Sequence, residues 1–427
     1  EITLGCLGVI KLNFIFMTKT PVPTLADFEQ ALQNVRQVAV ETPILHSNFL
    51  SGVVGQEVFL KAENLQRTGA YKLRGAFNRM SKLNKDERKR GVVAASAGNH
   101  AQGVALAAKK LGIKATIFMP VGASLPKFEA TKNYGANVVL EGAVFAETLE
   151  AAKAYAAKKG AIFIPPYDNI DVVIGQGTVG LEIMNVIDGV QTILVAIGGG
   201  GLAAGVAVAA KLEAARRGKK IQVIGVQAEN AASYVTSLKA GKPTQISTKA
   251  TIADGIAVAK PGQIPFDLIK KHIDKVVTVS DTQIAQAIVV LLERAKQVVE
   301  PAGAATVAAL LTGKVKPKGK TVAVLSGGNI DPLLLQKVIG HGLEAASRYT
   351  TISVMLPDRP GQLVQTAEAI ARAHGNVVEV VHTRHGGGFD IGEVELRLSV
   401  ETSGPEHVER VMKALKDAGL KARIASE

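Results

Sequence analysis

A single cysteine, Cys6, and no tryptophan occur in this chain of 427 residues. One thiol excludes a disulfide within the chain and any cysteine-based metal cluster, as expected in a reducing compartment. Aromatic residues are only 4% of the composition, so few rings are available to stack on nucleic-acid bases. No apolar run has the roughly 20 residues of a membrane-spanning helix. The leading EITLGCLGVIKLNFIF is shorter and carries Lys11 and Asn13. It also lacks the basic start and small-residue cleavage site of a secretory signal. The expectation is a cytoplasmic protein with neither membrane nor nucleic-acid partner. Translation is expected to begin at Met17, with residues 1–16 a non-native or disordered extension. Absent too are the G-x-x-x-x-G-K-[ST] phosphate loop and the H-E-x-x-H zinc motif; no metal site is expected.

Cations are in excess, with a net charge of +13. The basic runs KDERKR (85–90), RRGKK (216–220) and KPKGK (316–320) fall at helix ends or in loops before strands. The helix dipole favours cations at helix C-termini, so these runs read as solvated surface. Hydrophobic residues make up 47%, enough for a globular chain of two or three domains.

From residue 57 to about 345, short β-branched runs alternate with alanine-rich stretches: GVVAAS with HAQGVALAAKKLG, TILVAIGGGG with LAAGVAVAAKLEAARR. Apolar runs of this length, bounded by Gly or Pro, suit parallel strands buried on both faces. The alternation predicts right-handed βαβ units in a doubly wound α/β fold. The strands fall into two groups, about 57–165 and 166–345, hence two lobes and a cleft. After SRYT (347–350), a plausible linker, the order becomes β-α-β-β-α-β, a ferredoxin-like pattern whose middle strands join through HGGGFD.

Ligands of open α/β sheets sit at the carboxyl ends of strands. Three such ends are unusual: SAGNH (96–100), GGGGL (198–202) and SGGN (326–329). Four glycines, Gly198 to Gly201, let backbone N–H groups converge at a helix N-terminus, a cradle for phosphate. A plain tight turn is the alternative. A loose dinucleotide fingerprint, Gly198-x-Gly200-x-x-Ala203 followed by Glu229, keeps a nicotinamide oxidoreductase open. Ser96 and Asn99 suit either a ligand or a helix N-cap. Ser326 suits a turn or a neutral hydrogen-bond partner. Lys72, in TGAYKLRGA (68–76), stands at a helix entrance beside Tyr71 and between glycines. That setting suits a lysine that meets a bound molecule.

Taken in order, TGAYKLRGA, SAGNHAQG, IGGGGLAAG, TIADGIAV and LSGGNID resemble the pyridoxal-phosphate enzymes of the threonine/serine dehydratase type over about residues 20–345. The last 80 residues, opening with PDRPGQL, resemble an ACT regulatory domain; the combination resembles threonine dehydratases with one ACT domain. The resemblance implies a fold of the tryptophan-synthase-β kind, with a catalytic domain at 17–346 (smaller lobe about 72–165) and an ACT domain at 347–427. It implies β-elimination of L-threonine to 2-oxobutanoate and ammonia, with side activity on L-serine. Lys72 would hold pyridoxal 5'-phosphate covalently and take the substrate Cα proton. Gly198, Gly199, Gly200, Gly201 and Leu202 would bind the phosphate, Asn99 the ring hydroxyl and Ser326 the pyridine nitrogen, with Tyr71 covering the ring. Ser96, Asn99 and His100 would grip the substrate carboxylate. An amino-acid effector, isoleucine in the usual case, would bind around Gly361 and Leu363 in a dimer of ACT domains, within a homodimer or homotetramer.

Two positions depart from relatives. Serine-racemising relatives carry a second serine where this chain has Ala97, which implies little racemisation. Metal-dependent relatives carry two acids where Gln227 and Ser233 stand, with Glu229 nearby. Glu300, in VEPAGA, either approaches the cofactor ring or simply opens the helix at Pro301.

Overall fold

Alternating apolar runs and alanine-rich segments become two parallel α/β layers and a third, antiparallel one. The computed structural model describes residues 22–384 and 390–425. The extension 1–16, the start at Met17 and nearly all of HGGGFD lie outside them. The larger sheet has the strand order Ile44–His46, Val58–Ala62, Lys320–Leu325, Val190–Ala196, Gln222–Ala228, Lys275–Val279. All its pairs are parallel except the first, Ile44–His46 with Val58–Ala62. The smaller sheet runs Asn137–Leu140, Ala115–Met119, Val92–Ala95, Ile162–Phe163, all parallel.

This corrects the sequence grouping of strands at 57–165. Val58–Ala62 belongs to the larger sheet, paired with Lys320–Leu325 far along the chain. Sequence proximity suggested the wrong neighbour; the pairing was available only to a strand 260 residues away. Two smaller corrections follow. KDERKR is a helix of its own, Lys85–Arg90, started by a capping box between Asn84 and Glu87. SRYT is only half linker, because the strand Tyr349–Pro357 begins inside it.

The terminal layer has the strand order Asn376–Thr383, Glu393–Glu401, Tyr349–Pro357, Lys421–Ile424. Helices Gln362–Arg372 and Pro405–Asp417 cover it. Ile352, Val354, Leu396, Leu398, Ile370, Val411 and Leu415 form its separate core. That is the β-α-β-β-α-β order expected from the sequence.

Behind the start of the helix Lys72–Ser81 lies a buried set of charges. Arg74 lies in the helix Lys72–Ser81, two residues beyond Lys72, with no solvent exposure. Its guanidinium donates to both oxygens of Glu63 at 2.8 Å and to Glu182 at 2.6 Å. Lys61 donates to the other oxygen of Glu182 at 2.6 Å and to the Thr42 carbonyl at 2.8 Å. Two cations thus face two carboxylates. The bidentate geometry is what the planar guanidinium favours. Burial pushes the Glu63 carboxyl up, but Arg74, Lys61 and Thr42 outweigh it and hold it below the usual carboxylate range. Its contribution is therefore present at neutral pH and is lost only as pH falls below that range. Removing one partner leaves a buried charge uncompensated. Arg74→Ala is expected to cost about 3–5 kcal/mol of stability, read as a lower urea midpoint in the cofactor-free protein.

Candidate active site

Lys72 is the first residue of its helix, and Tyr71 precedes it with helical backbone. The lysine enters a space made by segments distant in sequence. Its Nζ donates to the Pro166 carbonyl at 3.1 Å and lies 5.3 Å from the centre of the Tyr71 ring. Burial lowers its pKa to about 8, against the opposing pull of Glu300. A buried amine of that pKa is a usable nucleophile and base near neutrality. Burial, and Glu300 behind it, push the Tyr71 phenol up.

The segment before Lys72 is tied to SGGN. Tyr71 N–H donates to the Ser326 carbonyl at 3.2 Å, and Gly328 N–H to the Gly69 carbonyl at 2.8 Å. Ser326 is 3% exposed. It closes the strand Lys320–Leu325, as expected for a group at a strand's carboxyl end.

The glycine turn lies between the strand Val190–Ala196 and the helix Gly201–Arg216. Gly200 adopts φ +97°, in the left-handed region, and a methyl group there would lie 2.0 Å from the Tyr234 oxygen. At Gly199 a methyl group would lie 2.2 Å from the Tyr167 ring. Both glycines are therefore required by the close approach of the Tyr167 and Tyr234 side chains. Tyr234 donates its O–H to the Gly199 carbonyl at 3.1 Å. The N–H groups of Gly198 through Ala203 have no acceptor among the described residues, whereas Ala204 N–H already bonds the Gly200 carbonyl at 2.8 Å. Six unpaired donors at a helix N-terminus fit a phosphate dianion. Leu202 contributes only its backbone; its side chain is in the core.

SAGNH follows the strand Val92–Ala95 of the smaller sheet. Gly98 is the N-cap of the helix Asn99–Leu111 and makes no side-chain cap bond. Neither Ser96 nor Asn99 serves as that cap. Ser96 Oγ accepts from Gly98 N–H at 3.1 Å. Asn99 reaches across the cleft to Glu300 at 2.8 Å. The His100 imidazole is 3% exposed and bonds the Ile164 carbonyl at 2.9 Å. Burial and then Lys72 lower its pKa to about 3. It is neutral at physiological pH and offers no cation to a carboxylate.

Four of the five sequence motifs thus line one space, with TIADGIAV at its rim: a methyl group on Gly198 would lie 3.0 Å from Cα of Ile256. Gly361 and Leu363 are elsewhere, at the start of the helix Gln362–Arg372 in the terminal layer. Gln227 and Ser233 are fully buried. Gln227 accepts from Tyr234 and Val235 N–H and donates to the Ile197 and Ala231 carbonyls.

A family model described as pyridoxal-phosphate dependent enzyme matches residues 35–327, and one described as ACT domain matches residues 350–419. The chain belongs to the pyridoxal-phosphate dependent enzymes and carries an ACT domain. Its cofactor is pyridoxal 5'-phosphate, which removes the nicotinamide alternative. An L-threonine ammonia-lyase of Thermotoga maritima is 46% identical over 94% of this chain and 99% of its own length. Another from Geobacter sulfurreducens is 44% identical over 92% and 96%. Among solved structures, threonine deaminase isoform 2 of Solanum lycopersicum has a TM-score of 0.70 at 37% identity, covering 74% of this chain and 93% of its own. Maize serine racemase has a TM-score of 0.70 at 33% identity, covering 76% and 99%.

One residue escaped sequence reading, and a second was left there with two readings. Asn329 stands in SGGN, where attention fell on Ser326; its amide bonds Thr68 and Asn99. Glu300 makes no side-chain bond to the helix it opens. The pKa of Lys72 sets a test. Only the neutral amine attacks an aldehyde, so imine formation between the cofactor-free protein and pyridoxal phosphate should accelerate through about pH 8 and level off above it, followed by visible absorbance.

Proposed function

We propose that this chain is a threonine ammonia-lyase: it eliminates the β-hydroxyl of L-threonine to give 2-oxobutanoate and ammonia, with side activity on L-serine. The observation that carries the reading is the buried Lys72 amine, bonded to the Pro166 carbonyl, in a chain 46% identical to a threonine ammonia-lyase over nearly its whole length. Residues 17–346 are the catalytic domain, with a smaller lobe at about 72–165, and 347–427 the ACT domain. The cytoplasm is the proposed compartment, and a homodimer or homotetramer the proposed assembly.

Bound at Lys72, pyridoxal phosphate supplies the electron sink that acidifies the substrate Cα–H. The chain supplies position and proton traffic. The N–H groups of Gly198 to Leu202 hold the phosphate. Asn99 donates to the ring hydroxyl, Ser326 faces the pyridine nitrogen as a neutral partner, and Tyr71 covers the ring. Lys72, as a neutral amine at its lowered pKa, would take the substrate Cα proton. Such a positioned base is worth about 10²–10⁴-fold in rate. Ser96 holds the carboxylate together with the main-chain N–H groups of Asn99 and His100, the His100 imidazole being neutral. Gly361 and Leu363 mark the effector site, with isoleucine the proposed ligand. An effector acts there only through unequal affinity for two states of the enzyme.

Keto-acid production from threonine and serine tests the activity, and Lys72→Ala should lower it by at least about 10³-fold. The same assay with isoleucine tests regulation; an unchanged saturation curve would remove the effector assignment. With Ala97 in place of a second serine, chiral analysis of residual serine should find no D-enantiomer accumulating during dehydration.

A further inference from the structure

One buried carboxyl and one amide beside Lys72 have no part in the chemistry above. Their hydrogen bonds form a directed chain. Asn329 Nδ2 donates to the Thr68 carbonyl at 2.7 Å and to Asn99 Oδ1 at 2.8 Å. Asn99 Nδ2 donates to Glu300 Oε1 at 2.8 Å. A main-chain carbonyl can only accept, so Thr68 decides which way the Asn329 amide points. Asn329 then presents its nitrogen to Asn99, and Asn99 must present its oxygen in return. The Asn99 nitrogen is thereby turned to Glu300, with one of its two hydrogens engaged.

The surroundings are cleared for this chain. A methyl group on Gly69, already at φ +69°, would lie 2.2 Å from Asn329 Oδ1. One on Gly327 would lie 2.3 Å from Glu300 Oε1. Glu300 is brought in by an unusual path. One wide helical turn, Leu291–Ala295, ends in Lys296 at φ +56°. Asn64 then grips the extended chain through Gln297 Oε1 and the Val298 carbonyl, and Glu300 N–H bonds the Gly327 carbonyl at 3.0 Å. As the N-cap of the helix Pro301–Leu311, Glu300 bonds its first turn only through its main-chain carbonyl, which accepts from Gly303 and Ala304 N–H; its side chain makes no cap bond and accepts from Asn99 instead.

Resting on the placement of Asn99 at the cofactor ring, we infer that Asn329 and Glu300 are positioning residues: they clamp the Asn99 amide from both sides and leave its one unused N–H for the ring hydroxyl of pyridoxal phosphate. Without the clamp the amide is free to turn over and offer an oxygen to the ring oxygen, an unfavourable pairing of acceptors. The clamp spans the cleft. Asn99 follows a strand of the smaller sheet, while Asn329 follows a strand of the larger and Glu300 opens a helix packed on it. The donor is therefore held in place only with the two lobes in contact. The ion pair Lys127–Asp254, at 3.2 Å, also joins 127 to 254 across that gap. Charges facing Glu300 are Asp254, Lys127 and Lys72, besides the Asn99 amide.

The test uses the full-length chain loaded with pyridoxal phosphate and reads its spectrum and affinity. An N–H donated to the ring oxygen favours the ionised, yellow form of the bound cofactor over the neutral, nearly colourless one. In Asn329→Asp the new carboxylate cannot donate to Thr68 or Asn99, so the Asn99 amide reverses. The yellow fraction should fall and pyridoxal-phosphate affinity weaken by about 10-fold, the scale of one well-placed hydrogen bond. Glu300→Ala should move both readouts the same way. Glu300→Gln keeps an oxygen acceptor and should restore both to within about 2-fold of wild type. Because Asn329→Asp risks misfolding, the two Glu300 variants decide the matter by themselves. If Glu300→Ala keeps the wild-type spectrum and affinity, or if Glu300→Gln is as impaired as Glu300→Ala, the clamp is wrong. A wild-type chain that never turns yellow would instead overturn the Lys72 assignment, and this inference with it.

Discussion

The helix that begins at Lys72 is held by charges that water never reaches. Arg74, two residues along, is gripped by Glu63 and Glu182, and Lys61 completes the neutral set. Each charge is costly to bury alone, so the four stabilise the structure only when all are in register. That requirement joins the strand Val58–Ala62, the turn after it, the helix Lys72–Ser81 and the helix Ile170–Val186. The network thereby fixes the backbone at the start of the Lys72 helix. The same desolvation that makes the network demanding lowers the Lys72 pKa to about 8.

At the glycine turn the logic is reversed. There the chain leaves donors unpaired. Gly198 to Ala203 present N–H groups with no partner among the described residues, an arrangement that costs stability unless an anion fills it. The four buried charges are paired with one another, and the donors of the glycine turn are not. The neutral His100 ring serves the fold by bonding the Ile164 carbonyl.

Much of this was legible in the sequence, for identifiable reasons. Lys72 and the four glycines announce themselves because their local chemistry is wasteful unless a ligand uses it. The terminal β-α-β-β-α-β order was readable because its elements pair with near neighbours. Asn329 and Glu300 were harder. An asparagine in a turn and a glutamate before Pro301 each have an ordinary local explanation, and their partner Asn99 is more than 200 residues away in both cases. Val58–Ala62 was misgrouped for the same reason.

What the sequence determined by itself is local: which loops are bare, which lysine is set apart, which segments alternate, and hence the α/β class and the trailing β-α-β-β-α-β layer, while the cofactor came through likeness to a family. Tertiary structure alone decided pairing across distance. It chose the sheet to which Val58–Ala62 belongs, the carboxylates that neutralise Arg74 and the direction in which the Asn99 amide points. The physical reason is range. Backbone freedom and hydrophobic period are properties of a few adjacent residues, whereas burying a charge or orienting an amide depends on groups that only folding brings within 3 Å.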